Sequence, residues 1–116
     1  MQLSQKSMES FSKILKKYPS KEAALLPALY LAQAEFGYIS KECMDYIAQL
    51  LDLPPTRVYA VTSFYTMYNR KPVGKYHIQV CTNLSCSLMG AEEVVRQIEK
   101  QLNIRIGETS PDGKFT

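Results

Sequence analysis

Residues 1–70 carry their apolar side chains at helical spacing, and the rhythm changes after Lys71. Phe11, Ile14, Leu15 and Tyr18 form one stripe, with Lys13, Lys16 and Lys17 elsewhere on the surface. Glu22 to Phe36 is apolar on most sides, which predicts the most buried helix of the chain. Pro27 within that stretch requires a helix start or a kink, because a proline in a helix interior removes a hydrogen bond and clashes with the preceding turn. Gly37 suits the end of that helix, and Ser40 suits the N-cap of the next. Glu42 and Asp45 fall in its early turns, where negative charge matches the helix dipole, and Met44, Ile47, Ala48 and Leu51 form its inward face. Pro54-Pro55 breaks the chain and restarts it into a fourth stripe of Val58, Val61 and Tyr65.

Beyond Lys71-Pro72-Val73-Gly74, which reads as a turn or linker, the pattern is mixed. Tyr76 to Val80 has the composition of a strand. Ala91, Val94, Val95, Ile98 and Leu102 make a helical face, with Glu92 and Glu93 early and Lys100 late. Ile104-Arg105-Ile106 fits a short second strand, Ser110-Pro111-Asp112-Gly113 a turn, and Phe115-Thr116 the opening of another strand. The expected fold class is mixed α and β: a helical bundle over residues 1–70, then the first part of an α/β domain over residues 71–116.

Composition narrows the function classes. The chain is 46% hydrophobic and 22% charged, ordinary for a globular domain of 116 residues. Residues 1–70 hold eight Lys/Arg against six Asp/Glu and residues 71–116 six against five, so neither half is a basic block and no nucleic-acid partner is indicated. No run approaches the ~18 apolar residues of a membrane span, and residues 1–17 lack the order of a signal peptide. Three cysteines, an odd number, argue against a secreted disulfide framework and predict a reducing compartment, most simply the cytosol. No Gly-rich phosphate loop and no Ser/His/Asp arrangement is visible, so no autonomous catalytic site is expected.

The candidate chemistry lies at Cys81 and Cys86, separated by four residues, after the strand-like run and before the helix near Gly90. Thiolates at this spacing can reach one iron or zinc atom when the loop between them curls, and a following helix N-terminus lowers thiol pKa. The pattern alone fits a metal site, a redox pair or an incidental pair. His77 lies ~13 Å along the strand from Cys81, too far to share one metal. Cys43 falls on the Ser40-capped helix and reads as a buried, inert thiol.

Two longer runs are more specific. Leu31-Ala32-Gln33-Ala34-Glu35-Phe36-Gly37-Tyr38-Ile39 and Val58 to Tyr68 resemble the helical region of the 24 kDa-type (E) subunits of NADH:quinone oxidoreductase, complex I. Lys71 to Cys86 and Gly107 to Thr116 are similar to the thioredoxin-like [2Fe-2S] ferredoxin part of those subunits. The resemblance implies a helical bundle followed by an incomplete thioredoxin-like domain. It implies a cluster held by a C-x4-C pair, matched here by Cys81 and Cys86, and a later C-x3-C pair that does not occur before Thr116. A complete cluster is thus expected in the full-length family member and not in this chain.

The resemblance further implies an electron-transfer subunit beside the flavin- and NADH-binding subunit, in the peripheral arm on the cytoplasmic side. Equivalent subunits of NAD-linked hydrogenases and formate dehydrogenases are the alternative. A thioredoxin-like sheet cut this early is expected to leave Val94, Val95, Ile98 and Leu102 exposed or covered by a second copy. Two other classes compete. Ser40 to Leu51 and Thr56 to Tyr65 have helix-turn-helix spacing, although the second helix offers only Arg57 near its start. Cys81 and Cys86 also allow direct thiol redox chemistry if their Cα atoms come within ~7 Å.

Overall fold

The computed structural model describes residues 2–116. By contacts the chain divides into two units, Met1–Pro72 and Val73–Thr116.

The first unit contains α1 (Gln5–Lys17), a 3-10 turn (Glu22–Ala24), α2 (Leu25–Phe36), α3 (Lys41–Leu51) and α4 (Pro55–Phe64). Side-chain caps start two of these helices. Ser4 accepts from the Ser7 N–H at 3.3 Å, and Ser40 accepts from the Cys43 N–H at 3.2 Å. The stretch expected as one helix from Glu22 is two elements, and Pro27 is the third residue of α2. Proline is tolerated there because first-turn N–H groups have no intrahelical partner. Gly37 ends α2 at φ 84°, in the left-handed region that glycine enters without penalty.

These helices enclose one core. Leu29, Ile39, Ile47, Leu51 and Val58 are fully buried, with Phe11, Met8, Ile14 and Leu15 of α1 packed against them. Tyr18 falls just past α1 and is exposed, so the first stripe is narrower than its spacing suggested. The chain after α4 folds back over α2. Tyr68 donates its hydroxyl to the Leu26 carbonyl at 2.9 Å, and the Gln33 amide bridges the Met67 carbonyl at 3.0 Å and the Asn69 N–H at 2.6 Å. Burial, then the neighbouring Tyr30 and Tyr65, push the Tyr68 hydroxyl well above the usual tyrosine value. Arg57, at the start of α4, pairs with Glu22.

The second unit contains α5 (Leu84–Leu88) and α6 (Ala91–Leu102). No strand forms among the described residues. Tyr76 and Phe115 instead make one parallel bridge. Around it Tyr76 donates to the Lys114 carbonyl at 2.7 Å, Thr116 to the Tyr76 carbonyl at 3.1 Å, and Ile78 to the Thr116 carbonyl at 2.8 Å. The strand expected over Tyr76 to Val80 therefore reduces to this bridge, because a strand needs a pairing partner along its length and Gln79 and Val80 make no backbone pairing among the described residues.

The second strand expected at Ile104 to Ile106 is a turn. Asn103 leaves α6 at φ 52° and Gly107 follows at φ 85°, so too few extended residues lie between them. Glu108 instead closes the turn through its N–H to the Arg105 carbonyl at 3.0 Å. The turn at Ser110 to Gly113 is present, with the Gly113 N–H on the Ser110 carbonyl at 2.8 Å. Asp112 accepts from the Ser110 hydroxyl at 2.5 Å and the Lys114 N–H at 3.1 Å, and these bonds hold its carboxyl below the usual range.

Gly74 is required by close approach: a Cβ there would lie 2.8 Å from the Lys114 carbonyl carbon and oxygen. Ala91 and Ser110 are the buried residues of this unit. Val94 is 50% exposed, while Val95, Ile98 and Leu102 line an apolar groove of about 380 Å³ with Val80 and Ile104.

Candidate metal-binding site

The two cysteines are presented by α5 and the residues just before it. Cys81 precedes the helix and Cys86 is its third residue. Asn83 makes this local structure. Its side-chain oxygen accepts from the Leu84 N–H at 2.8 Å, and its carbonyl accepts from the Ser87 N–H at 2.8 Å. The Ser87 hydroxyl then donates to the Glu92 carboxylate at 2.5 Å, which ties α5 to the first turn of α6 and holds Glu92 below the usual carboxylate range. Gly90, at φ 97°, makes the bend between the helices.

Both thiols are free and exposed. The Asn83 backbone N–H, and then the Cys86 thiol, hold Cys81 below the ordinary cysteine value. Cys86 is pushed up, first by its hydrogen bond to Cys81 and then by the charge on Cys81. Of the two, Cys81 is therefore the readier thiolate. Thiolate is the form that binds iron or zinc and attacks disulfides. The favourable field on Cys81 comes from one backbone N–H in its own loop. The helix at Gly90, which the spacing suggested for this role, starts beyond both cysteines.

The other candidate ligands are elsewhere. His77 is exposed and lines the apolar groove, which reaches Thr82 but neither cysteine. Among the described residues no group of three or more His, Cys, Asp or Glu side chains gathers as a metal would require. Cys43 is fully buried near the start of α3, and desolvation raises its pKa to about 11, so it stays a protonated, unreactive thiol at neutral pH. The arrangement therefore presents two exposed sulfurs, one just before α5 and one within it. Asn83 and the Ser87–Glu92 contact were missed in the sequence, where the Ser- and Asn-rich run reads as loop. The usable signal was Asn83 itself, a favoured N-cap residue.

Among known proteins, a family model of the thioredoxin-like [2Fe-2S] ferredoxin matches residues 11–116. The chain is 41% identical over 100 residues to the second E-type subunit of NADH-quinone oxidoreductase from Rhizobium meliloti (strain 1021), covering 86% of this chain and 60% of that relative. It is 44% identical over 114 residues to the E-type subunit of NADH-quinone oxidoreductase from Rickettsia conorii, covering 96% of this chain and 68% of the relative. It is 43% identical over 115 residues to NADH dehydrogenase [ubiquinone] flavoprotein 2, mitochondrial, of Dictyostelium discoideum, covering 97% and 47%. The chain thus spans between about half and two thirds of the length of these curated relatives. Since the family match runs through both units and includes the exposed cysteine pair, the chain belongs to the thioredoxin-like [2Fe-2S] ferredoxin family.

Proposed function

We propose that this chain is the helical and cysteine-bearing part of an electron-transfer [2Fe-2S] subunit of an NADH:quinone oxidoreductase. It would work beside the flavin- and NADH-binding subunit, in the peripheral arm on the cytoplasmic side. The observation that carries this reading is the exposed Cys81–Cys86 pair on the Asn83-capped loop, inside the stretch matched to the family. The names of the relatives support the same assignment. No helix among the described residues is long and apolar enough to cross a membrane.

The residues present fit half of the implied cluster. Cys81 and Cys86 would hold one iron, and the Asn83 N–H would steady the Cys81 sulfur. The cluster, when bound, supplies one-electron transfer. The chain's own part is to present thiolate at a solvent-facing edge and to hold the loop through the Ser87–Glu92 tie. The alternative of a helix-turn-helix is disfavoured by Arg57, which is engaged with Glu22.

Cobalt(II) is the direct probe of the pair. The reduced chain should show thiolate-to-cobalt absorption that disappears in Cys81→Ser and in Cys86→Ser and survives in Cys43→Ser. Absorption that persists in both site variants would overturn the assignment. Anaerobic treatment of the 116-residue chain with iron and sulfide should leave it without a stoichiometric cluster, since two thiolates stand where the family uses four.

A further inference from the structure

We propose that the outward side of α4, together with Tyr30 and Arg70, is a docking surface for an extended polypeptide segment that carries prolines beside a carboxylate. The surface belongs to the helical unit, and the inference stands whether or not the cysteine pair holds a metal.

Composition sets this face apart. Residues 58–69 contain no Asp, Glu, Lys or Arg, although Tyr59, Ala60, Ser63 and Phe64 among them are exposed. The solvent side of α1 is ordinary by comparison, with Lys6, Glu9, Lys13, Lys16 and Lys17 exposed along it. A face rich in Tyr and Phe and depleted of charge has the composition of the centre of a protein–protein interface.

The ring geometry selects what fits. Tyr30 and Tyr68 lie 5.3 Å apart between centroids, Tyr68 and Tyr65 6.5 Å, and Tyr65 and Phe64 5.1 Å. Their planes are inclined by 60°, 71° and 83°, so no ring is covered flat by the next. Tyr30 and Phe64, at the ends of the row, are 50% and 78% exposed, whereas Tyr68 is buried and Tyr65 half-buried. A row with raised ends and a recessed middle accepts rigid, uncharged side chains. Prolines in an extended helix meet that description, and their chain is already ordered before it binds.

Charge selects what flanks the prolines. Arg70 donates to the Ser63 hydroxyl at 3.3 Å, beside Phe64, and pairs with no carboxylate among the described residues. Arg57, near the start of α4, is already engaged with Glu22. The guanidinium at the Phe64 end is therefore the one that a carboxylate of the incoming segment would meet.

The test is a titration of the whole reduced, isotope-labelled chain with the capped peptide Pro-Pro-Pro-Pro-Glu-Glu, read from amide spectra. Saturable shifts are expected at Tyr30, Ser63, Phe64 and Arg70, with the amides of α6 unmoved. Phe64→Ala, at a largely exposed position, should leave the unfolding midpoint in place and weaken binding about tenfold or more. Arg70→Gln should weaken it about threefold and remove most of its salt dependence. Lysines in place of the peptide's glutamates should also weaken it. No saturable shift, equal shifts with the basic peptide, or unchanged affinity in Phe64→Ala would each overturn the assignment. Concentration-dependent broadening at Phe64 in the chain alone would overturn it in favour of a second copy. Loss of the Phe64 signal on anionic phosphatidylglycerol vesicles would overturn it in favour of a membrane surface.

Discussion

The two units of this chain are built on opposite terms. In Met1–Pro72 the side chains that define the helices also define a closed core, with Leu29, Ile39, Ile47 and Val58 at 0% exposure. In Val73–Thr116 the most amphipathic helix, α6, has its stripe half open: Val94 is 50% exposed, and Val95, Ile98 and Leu102 border a groove. The difference teaches that amphipathicity specifies a helix but not its burial. The reactive sulfurs lie in the open unit and the inert one in the closed unit.

The sharpest way to break this contrast is to truncate matched side chains. Ile47→Ala should destabilise the helical unit by about 2–5 kcal/mol, as expected for a fully packed site. Ile98→Ala should cost less, about 1–2 kcal/mol, because the side chain is only partly buried along an open groove and leaves no closed cavity. Urea unfolding followed by helix signal measures both. Equal losses would mean that the groove is closed in solution.

A second effect appears at alkaline pH. Unfolding lets Cys43 ionise near 9.0, whereas in the fold it holds its proton to about 11. Its raised pKa therefore contributes stability that is fully present below pH 9.0 and lost as pH rises through about 11, roughly 2–3 kcal/mol in all. Tyr68 acts in the same sense from its ordinary value of 10.0 upward. Cys43→Ala should flatten the first part of the stability decline and Tyr68→Phe only the later part. An unchanged slope in Cys43→Ala would show that the thiol is wetter than its surroundings indicate.

Gly74→Ala should force the Lys114–Phe115 backbone away and weaken the second unit by about 1–3 kcal/mol. Hydrogen exchange would register this as lost protection at the Tyr76 and Ile78 amides, with the amides of α2 and α3 unaffected. The smallest effect concerns Glu35, whose carboxyl is held below the usual range first by the Ser7 hydroxyl and also by the Ser4 N–H, 2.7 Å from its Oε1. Its contribution is present above the ordinary carboxylate pKa and disappears as pH falls through the lowered one. The gap between the native chain and Glu35→Gln should accordingly narrow in acid. A gap that holds constant with pH would mean the carboxylate charge is not what joins α1 to α2.

Much of the helical unit was legible in the sequence, and the reasons are local. Ser40 caps through its own third neighbour, Gly37 supplies its own φ, and Met44, Ile47, Ala48 and Leu51 share a face by spacing alone. The limits of legibility lie where a residue depends on a distant partner. Tyr76 to Val80 has strand composition, but pairing with Phe115 is nearly forty residues away and composition does not disclose how far it extends. The cysteine pair was visible from its spacing. The lowered pKa of Cys81 was not, because that depends on where the Asn83 N–H points once α5 has formed.

The burial of Cys43 also makes it a clock. A thiol reagent labels the exposed Cys81 and Cys86 directly but reaches Cys43 only when α3 lifts from its neighbours, so the Cys43 rate, set against that of an unfolded-chain thiol, measures the opening equilibrium of the helical unit. One reagent added to one sample would then read the reactivity of the open unit in its fast phase and the cooperativity of the closed unit in its slow phase. No amino acid would have to be changed to do so.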